Sequence, residues 1–260
     1  MLRVKSASDF SIIKQNLISR KCTFYVEKKA NNHKIIFDRK IQSTFYSKAS
    51  QVDRYFKDKT KVGVISRVHK EIERYVKSKG LQVDKVNPVH QPILKEFKAF
   101  RELENGTKLV IVDIKHAYWR VAYLLGYIGK KLYKKYADAE DYKLARNIGL
   151  STLVSKKHRE LYINGKLIYD IECMNRQNSI IYENIRHTTY NYIGELHEQL
   201  GVYSFGYRTD GLLALNKPEI IEHCRDYFKK NKLLFDVTEY VKISDTEIKN
   251  ILTGKIKKYM

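Results

Sequence analysis

A chain of 260 residues, 43% of them hydrophobic, is long enough to bury a core as one domain or as two unequal ones. Its formal net charge of +21, from 50 Lys and Arg against 29 Asp and Glu, exceeds what solubility asks and points to a polyanionic partner. Twenty Tyr and ten Phe add stacking surfaces among those cations, with an AT-biased coding sequence as the alternative source of such a composition.

The three cysteines, Cys22, Cys173 and Cys224, form no CxxC pair, which argues against a disulfide framework and against a zinc site. The N-terminal MLRVKSASDF lacks the apolar core of a signal peptide, and the apolar run around residues 121–128 is too short to span a bilayer. These features predict a soluble protein of a reducing cytoplasm.

Along the chain, CTFYVEKKANNHKIIFDRKI reads as a basic β-hairpin closed at Asn31 and Asn32, and VISRVHKEIERYVKSKG as an amphipathic helix ended by Gly80. KVNPVHQP, residues 85–92, holds two of the three prolines and reads as an extended connector, so the domain boundary is expected there. This divides the chain into a basic N-terminal region, 1–92, and a main domain, 93–260. KLVIVDIK then suits a buried strand that delivers Asp113 at its end. A helical region follows over about 116–157, then the turn and strand of NGKLIYDIE. Ile181, Ile185, Tyr192, Leu196 and Leu200 fall on one face of a helix that stops at Gly201. VYSFGYR and LLAL flank a hairpin turn at Thr209, Asp210 and Gly211. Asn216 with Pro218 and Glu219, and Ser244 with Glu247, read as capping boxes opening two more helices. The order predicts an α+β fold, an antiparallel sheet with helices on one face.

Two carboxylates ending neighbouring strands in a partly desolvated site cannot both stay ionised without a cation. Asp113 and Asp210 are the candidates. Such a pair can hold two Mg2+ ions for phosphoryl transfer, with Mn2+ as a substitute. As single residues, each reads equally as a strand cap or a turn residue. In KLARNIGLSTLVSKK, Lys143 and Asn147 share one helix face, as Ala145 and Gly149 share another, and the first pair could meet a phosphate and a neighbouring polar group.

These three segments, in this order, resemble the polymerase motifs of family B DNA polymerases. VDIKHAYW resembles D-x-x-S-L-Y-P, with Asp113 at its metal-binding acid and Tyr118 at its sugar-gating Tyr. KLARNIGLS resembles K-x-x-x-N-S-x-Y-G, with Lys143 and Asn147 at the positions that approach the incoming triphosphate. YRTDG resembles Y-x-D-T-D-S, with Asp210 at the second acid. The likeness covers about residues 108–244. Departures include Arg208 in place of the first acid of the third motif, and His116, Ala117 and Trp119 in the first. Ile148, Leu150 and Ser151 depart in the second.

The resemblance implies a polymerase palm with short helical fingers at about 119–157 and no proofreading domain. It implies a minimal DNA polymerase that adds deoxynucleotides to a primer 3′ end. Asp113 and Asp210 would hold the metals, and Ile114, Lys115, Tyr118, Lys143 and Asn147 would meet the dNTP. Thr209 and Arg208 would face the primer. Partners implied are primer-template DNA, dNTPs and no membrane, with room for a processivity factor. The N-terminal region could add phosphate contacts through Arg67, Lys70, Arg74 and Lys77. YDIEC, with Asp170 and Glu172, is similar to an exonuclease D-x-E but lies between the second and third motifs, so it reads as a palm strand with Glu172 an accessory acid. Two alternatives stay open: an inactive palm that only binds nucleic acid, and a primase or protein-priming transferase.

Overall fold

The computed structural model describes residues 2–4, 7–29, 32–37, 40–46, 59–137, 142–155 and 157–259. In chain order the elements are β1 (Leu2–Val4), α1 (Ala7–Ser19), β2 (Phe24–Lys29), β3 (Asn32–Phe37), β4 (Lys40–Tyr46), α2 (Lys59–Ser78), β5 (Ile93–Lys95), α3 (Phe97–Glu102) and β6 (Lys108–Ile114). There follow α4 (Ala117–Leu124), α5 (Lys130–Ala137), α6 (Lys143–Ser151), β7 (Lys157–Ile163), β8 (Lys166–Cys173) and α7 (Arg176–Leu200). The chain closes with β9 (Ser204–Arg208), β10 (Gly211–Leu215), α8 (Pro218–Lys230), β11 (Phe235–Lys242), β12 (Glu247–Asn250) and β13 (Ile256–Lys258). The fold is α+β, as expected.

Two compact units divide the chain, but not at a single cut near residue 92. One combines Met1–Lys70 with Leu144–Tyr182, the other Glu71–Lys143 with Glu183–Met260. The division falls within α2, at the start of α6 and within α7, so the expected fingers segment is shared out between the units.

The first unit carries a sheet in the order β1-β4-β3-β2-β7-β8, antiparallel except for the β1–β4 pair. Helix α1 covers one face by packing Phe10 against Phe24, Val26, Ile35 and Tyr162. Glu160 is buried on that face, where Lys14 of α1 reaches it at 2.6 Å, Lys28 of β2 pairs with it, and the Tyr162 hydroxyl donates to it at 3.0 Å. The turn at Asn31 lies outside the described residues.

One stretch gains an element and one expectation is corrected in this unit. Residues 157–163, where the expected helical region ends, form β7, because Glu160 and Tyr162 point to the covered face while Arg159 and Leu161 alternate away from it. The YDIEC strand, expected as a palm strand, is β8, an edge strand of this sheet and not of the sheet that holds Asp113.

The second unit carries an antiparallel sheet in the order β13-β12-β11-β6-β10-β9-β5, with β6 in the middle. Val110, Val112, Ile114, Leu212 and Ala214 are buried on one face. Helix α8 lies against the sheet there through Phe228 stacked on Phe235 at 4.8 Å, and His197 of α7 bonds Ser204 at 2.7 Å. On the other face Phe100 of α3 joins Leu109, Phe205, Leu213, Tyr240 and Ile248. Buried Lys242 closes the end of α3 by donating to the carbonyls of Arg101, at 3.0 Å, and Leu103.

Sequence signals misled at three further places. Ser244 and Glu247 open no helix, since residues 247–250 alternate in burial as β12 and send Ile248 into the core. The N-cap of α8 is Lys217, with no side-chain bond, although Pro218 does take the first turn. The 85–92 connector marks no boundary. Asn184 of α7 accepts from Val86 N–H at 2.8 Å and donates to Asp84 at 2.7 Å, His187 donates to Val86 at 3.1 Å, and Asn191 accepts from Val89 and His90 at 3.1 and 3.2 Å. The segment is a strap along one stripe of α7, and its prolines are tolerated because side chains, not a strand ladder, satisfy its backbone.

Candidate active site

The apolar run of β6 ends at Asp113, whose side chain alternates onto the same face as Leu109 and Ile111. Its cross-strand partners are Gly211 of β10 and Asp236 of β11. Gly211 follows Asp210, so the β9–β10 turn sets the second carboxylate next to the first. A Cβ at Gly211 would lie 2.9 Å from Asp113 Oδ1, so the glycine makes room for that carboxylate.

The turn is held from outside as well. Thr209 has φ of 59°, an uncommon conformation for a β-branched residue, and its N–H donates to Pro92 at the end of the strap at 2.7 Å. Asp210 O accepts from Ile114 N–H at 2.8 Å, tying the turn to β6.

Burial, then the Asp210 charge, raises the Asp113 carboxyl from its ordinary value of 3.8 to about 7, with Asp236 adding to the rise and Lys143 and Lys257 opposing it. Burial raises Asp210 too, against its own backbone N–H and Lys143. Asp113 still opens to solvent on the groove side, while the strands crowd the rest of it.

That groove, about 660 Å3, is walled by Ile111, Gly211, Leu213, Ile248 and Tyr207 and edged by the cations Lys95, Arg208, Lys257 and Lys258. Among the described residues no three His, Cys, Asp or Glu side chains converge as a metal cage, and no helix is long and apolar enough to cross a membrane.

The other predicted positions divide clearly. Lys143 is exposed at the start of α6, and its charge acts on both carboxylates. Arg208 is exposed at the groove edge beside Thr209. Tyr118, in the first turn of α4, sets its hydroxyl 3.4 Å from that of Tyr190, which accepts from Arg186 at 3.0 Å. The backbone N–H groups of Ile114 and Lys115 are spent inside the unit, on Asp210 and on Leu234 at 2.8 Å. Lys115 keeps its side chain, which pairs with Asp236 at 3.8 Å. Asn147 is exposed one turn along α6 from Lys143 and belongs to the first unit. Asp170 and Glu172 belong there too, both pairing with His158 at 3.0 and 3.6 Å.

Three residues escaped the sequence reading: Asp236, Gly211 as a space-maker, and Lys257. Asp236 had a readable signal, because KLLFDV repeats the apolar-run-then-acid pattern of KLVIVD. Compared with known proteins, the chain matches no family model, no curated protein and no solved structure.

Proposed function

We propose that this protein is a minimal DNA-directed DNA polymerase of the family B type, extending a primer 3′ end without proofreading. One observation carries the reading. Two carboxylates interact, Asp113 at the end of β6 and Asp210 in the β9–β10 turn, both with raised pKa; Asp113 lines an otherwise cationic groove, and a lysine from a third element acts on both.

The donor set suits a hard divalent cation. Asp113 and Asp210 offer only oxygen ligands, and their shared burial leaves a charge conflict that a cation relieves. Asp236, directly across from Asp113, is the nearest further acid in the sheet. Two Mg2+ ions held by Asp113 and Asp210 would supply Lewis-acid stabilisation of phosphoryl transfer.

The chain's own groups do the positioning. Lys143, whose charge acts on both carboxylates, would meet the triphosphate, and as a point charge it would stabilise that anion without demanding a fixed geometry. Tyr118, whose hydroxyl meets that of Tyr190, would supply the ring under the deoxyribose. Arg208, Lys257 and Lys258 line the groove that a primer-template backbone would follow, as phosphate contacts require.

The test is incubation of the protein with Mg2+, four dNTPs and a labelled primer on a DNA template, with a parallel reaction lacking primer. Extension that needs primer, template and metal is expected. Product formed without primer would instead indicate a priming transferase, and metal-independent DNA binding with no product would indicate an inactive palm.

A further inference from the structure

The charge is unevenly shared. The unit formed by Met1–Lys70 and Leu144–Tyr182 holds 23 Lys and Arg against 8 Asp and Glu, a net +15, while the other holds 27 against 21, a net +6. Most of the net positive charge therefore belongs to the unit that does not hold Asp113 and Asp210.

The sheet of this unit has one face under α1. On the opposite face Tyr25, Leu161 and Tyr169 stand side by side, in register across β2, β7 and β8. Tyr25 pairs with Ile36 on its other side, and Arg159 stands between Glu27 and Ile171 in the next row. Tyr25 is 44% exposed and Ile171 46%, well above what a core-facing row shows. Tyr25, Glu27, Ile36, Arg159 and Tyr169 line a shallow hollow of about 340 Å3, with Glu27 steadying Arg159 at 3.4 Å. Asp170, Glu172 and Glu160 alternate onto the α1 side, so among the described side chains Lys34 and Arg159 stand against Glu27 on the open face.

We propose that this open face of the first unit's sheet binds single-stranded DNA by stacking bases on Tyr25 and Tyr169 while Arg159 and Lys34 meet the backbone. Exposed aromatic rings on a sheet surface, interleaved with cations, are what unpaired bases recognise; a duplex hides those faces. An apolar protein partner fits less well, because the hollow is edged by charge in the unit that carries the greater positive excess. The site is separate from the proposed chemistry and needs neither metal nor nucleotide, so either can fail alone.

The experiment is fluorescence anisotropy of a labelled oligo-dT with the full chain, without metal or dNTP, for wild type, Tyr25→Ala/Tyr169→Ala and Tyr25→Phe/Tyr169→Phe. The alanine pair should weaken binding by about tenfold or more, given ~1–3 kcal/mol per stacked base. The phenylalanine pair should stay within twofold. Arg159→Ala should instead reduce the salt dependence of binding, by roughly 0.7 in log–log slope per lost phosphate contact. Thermal melts establish that each variant is folded. Photocrosslinking of a bromodeoxyuridine oligonucleotide should label residues 24–37 or 159–171. An alanine pair that binds within twofold of wild type, a phenylalanine pair that loses as much as alanine, or crosslinks confined to the second unit would overturn the proposal.

Discussion

Asp113 and Asp210 stand where the fold works against them. A carboxyl whose pKa rises from 3.8 to about 7 costs folding stability as pH climbs through that window, and the full cost applies above about 7. Removing the charge should therefore stabilise the metal-free protein. Asp113→Asn is expected to raise Tm at pH 8 by roughly 2 °C, the size being trimmed by solvent on the groove side, and to lose that advantage near pH 4. Differential scanning calorimetry in EDTA checks this; a turn residue valued for its fold would shift Tm the other way. Gly211 gives a complementary test. Its missing Cβ would sit 2.9 Å from Asp113 Oδ1, so Gly211→Ala should cut nucleotide incorporation at least tenfold while the far-UV circular dichroism stays unchanged. Both aspartates and Lys143 were legible from the apolar run, the Asp-Gly turn and the helical spacing. Asp236 ends an apolar run as Asp113 does, but its place opposite Asp113, like that of Lys257, depends on strand register, which is invisible in the sequence.

At the scale of elements, the strap over residues 84–92 links the long helix to the turn that carries Asp210. Its asparagine bonds fix it to α7, and its last carbonyl, Pro92, accepts from Thr209. Gly194 lets His90 close onto the helix, for a Cβ there would lie 2.1 Å from His90 Cγ. Gly194→Ala should cost about 1–3 kcal/mol in urea unfolding and slow incorporation as well, since the displaced strap loosens the turn. An equal loss in a Thr209→Gly variant, with stability retained, would place the effect in the turn itself. The hairpin at Asp210, the turn and strand that begin at Asn164-Gly165, and the helix ended by Gly201 could be read because turn chemistry and period 3.6 are local. The last strands could not: Ser244 and Glu247 mimic a cap, and only pairing with β11 turns residues 247–250 into β12. Proline likewise mimicked a linker, where the partners of the strap lie about a hundred residues away.

For the whole molecule, the α+β class followed from the order of elements, but the interleaving of two units did not, because no composition shift marks residues 70, 143 or 182. The first unit depends on a buried charge cluster. Burial alone would raise the Glu160 carboxyl, yet hydrogen bonds from Lys14, Lys28 and Tyr162 overcome that and hold it at about 2. The resulting stability is full above the ordinary value of 4.5 and is lost as pH falls through the window down to about 2. Glu160→Gln should cost on the order of 2–3 kcal/mol at pH 7 and flatten the acid side of the stability profile, measured by urea melts from pH 7 to pH 3. A variant as acid-sensitive as wild type would contradict the assignment.

The central claim is that Asp113 and Asp210 together run nucleotidyl transfer. Single-nucleotide incorporation on a primed DNA template with Mg2+ should be compared for wild type, Asp113→Asn and Asp210→Asn, all shown folded by their melts. Wild type should extend the primer while each variant falls by about a thousandfold or more, with primer-template binding retained. Incorporation within threefold of wild type in either variant, or none by the wild type itself, would contradict the account.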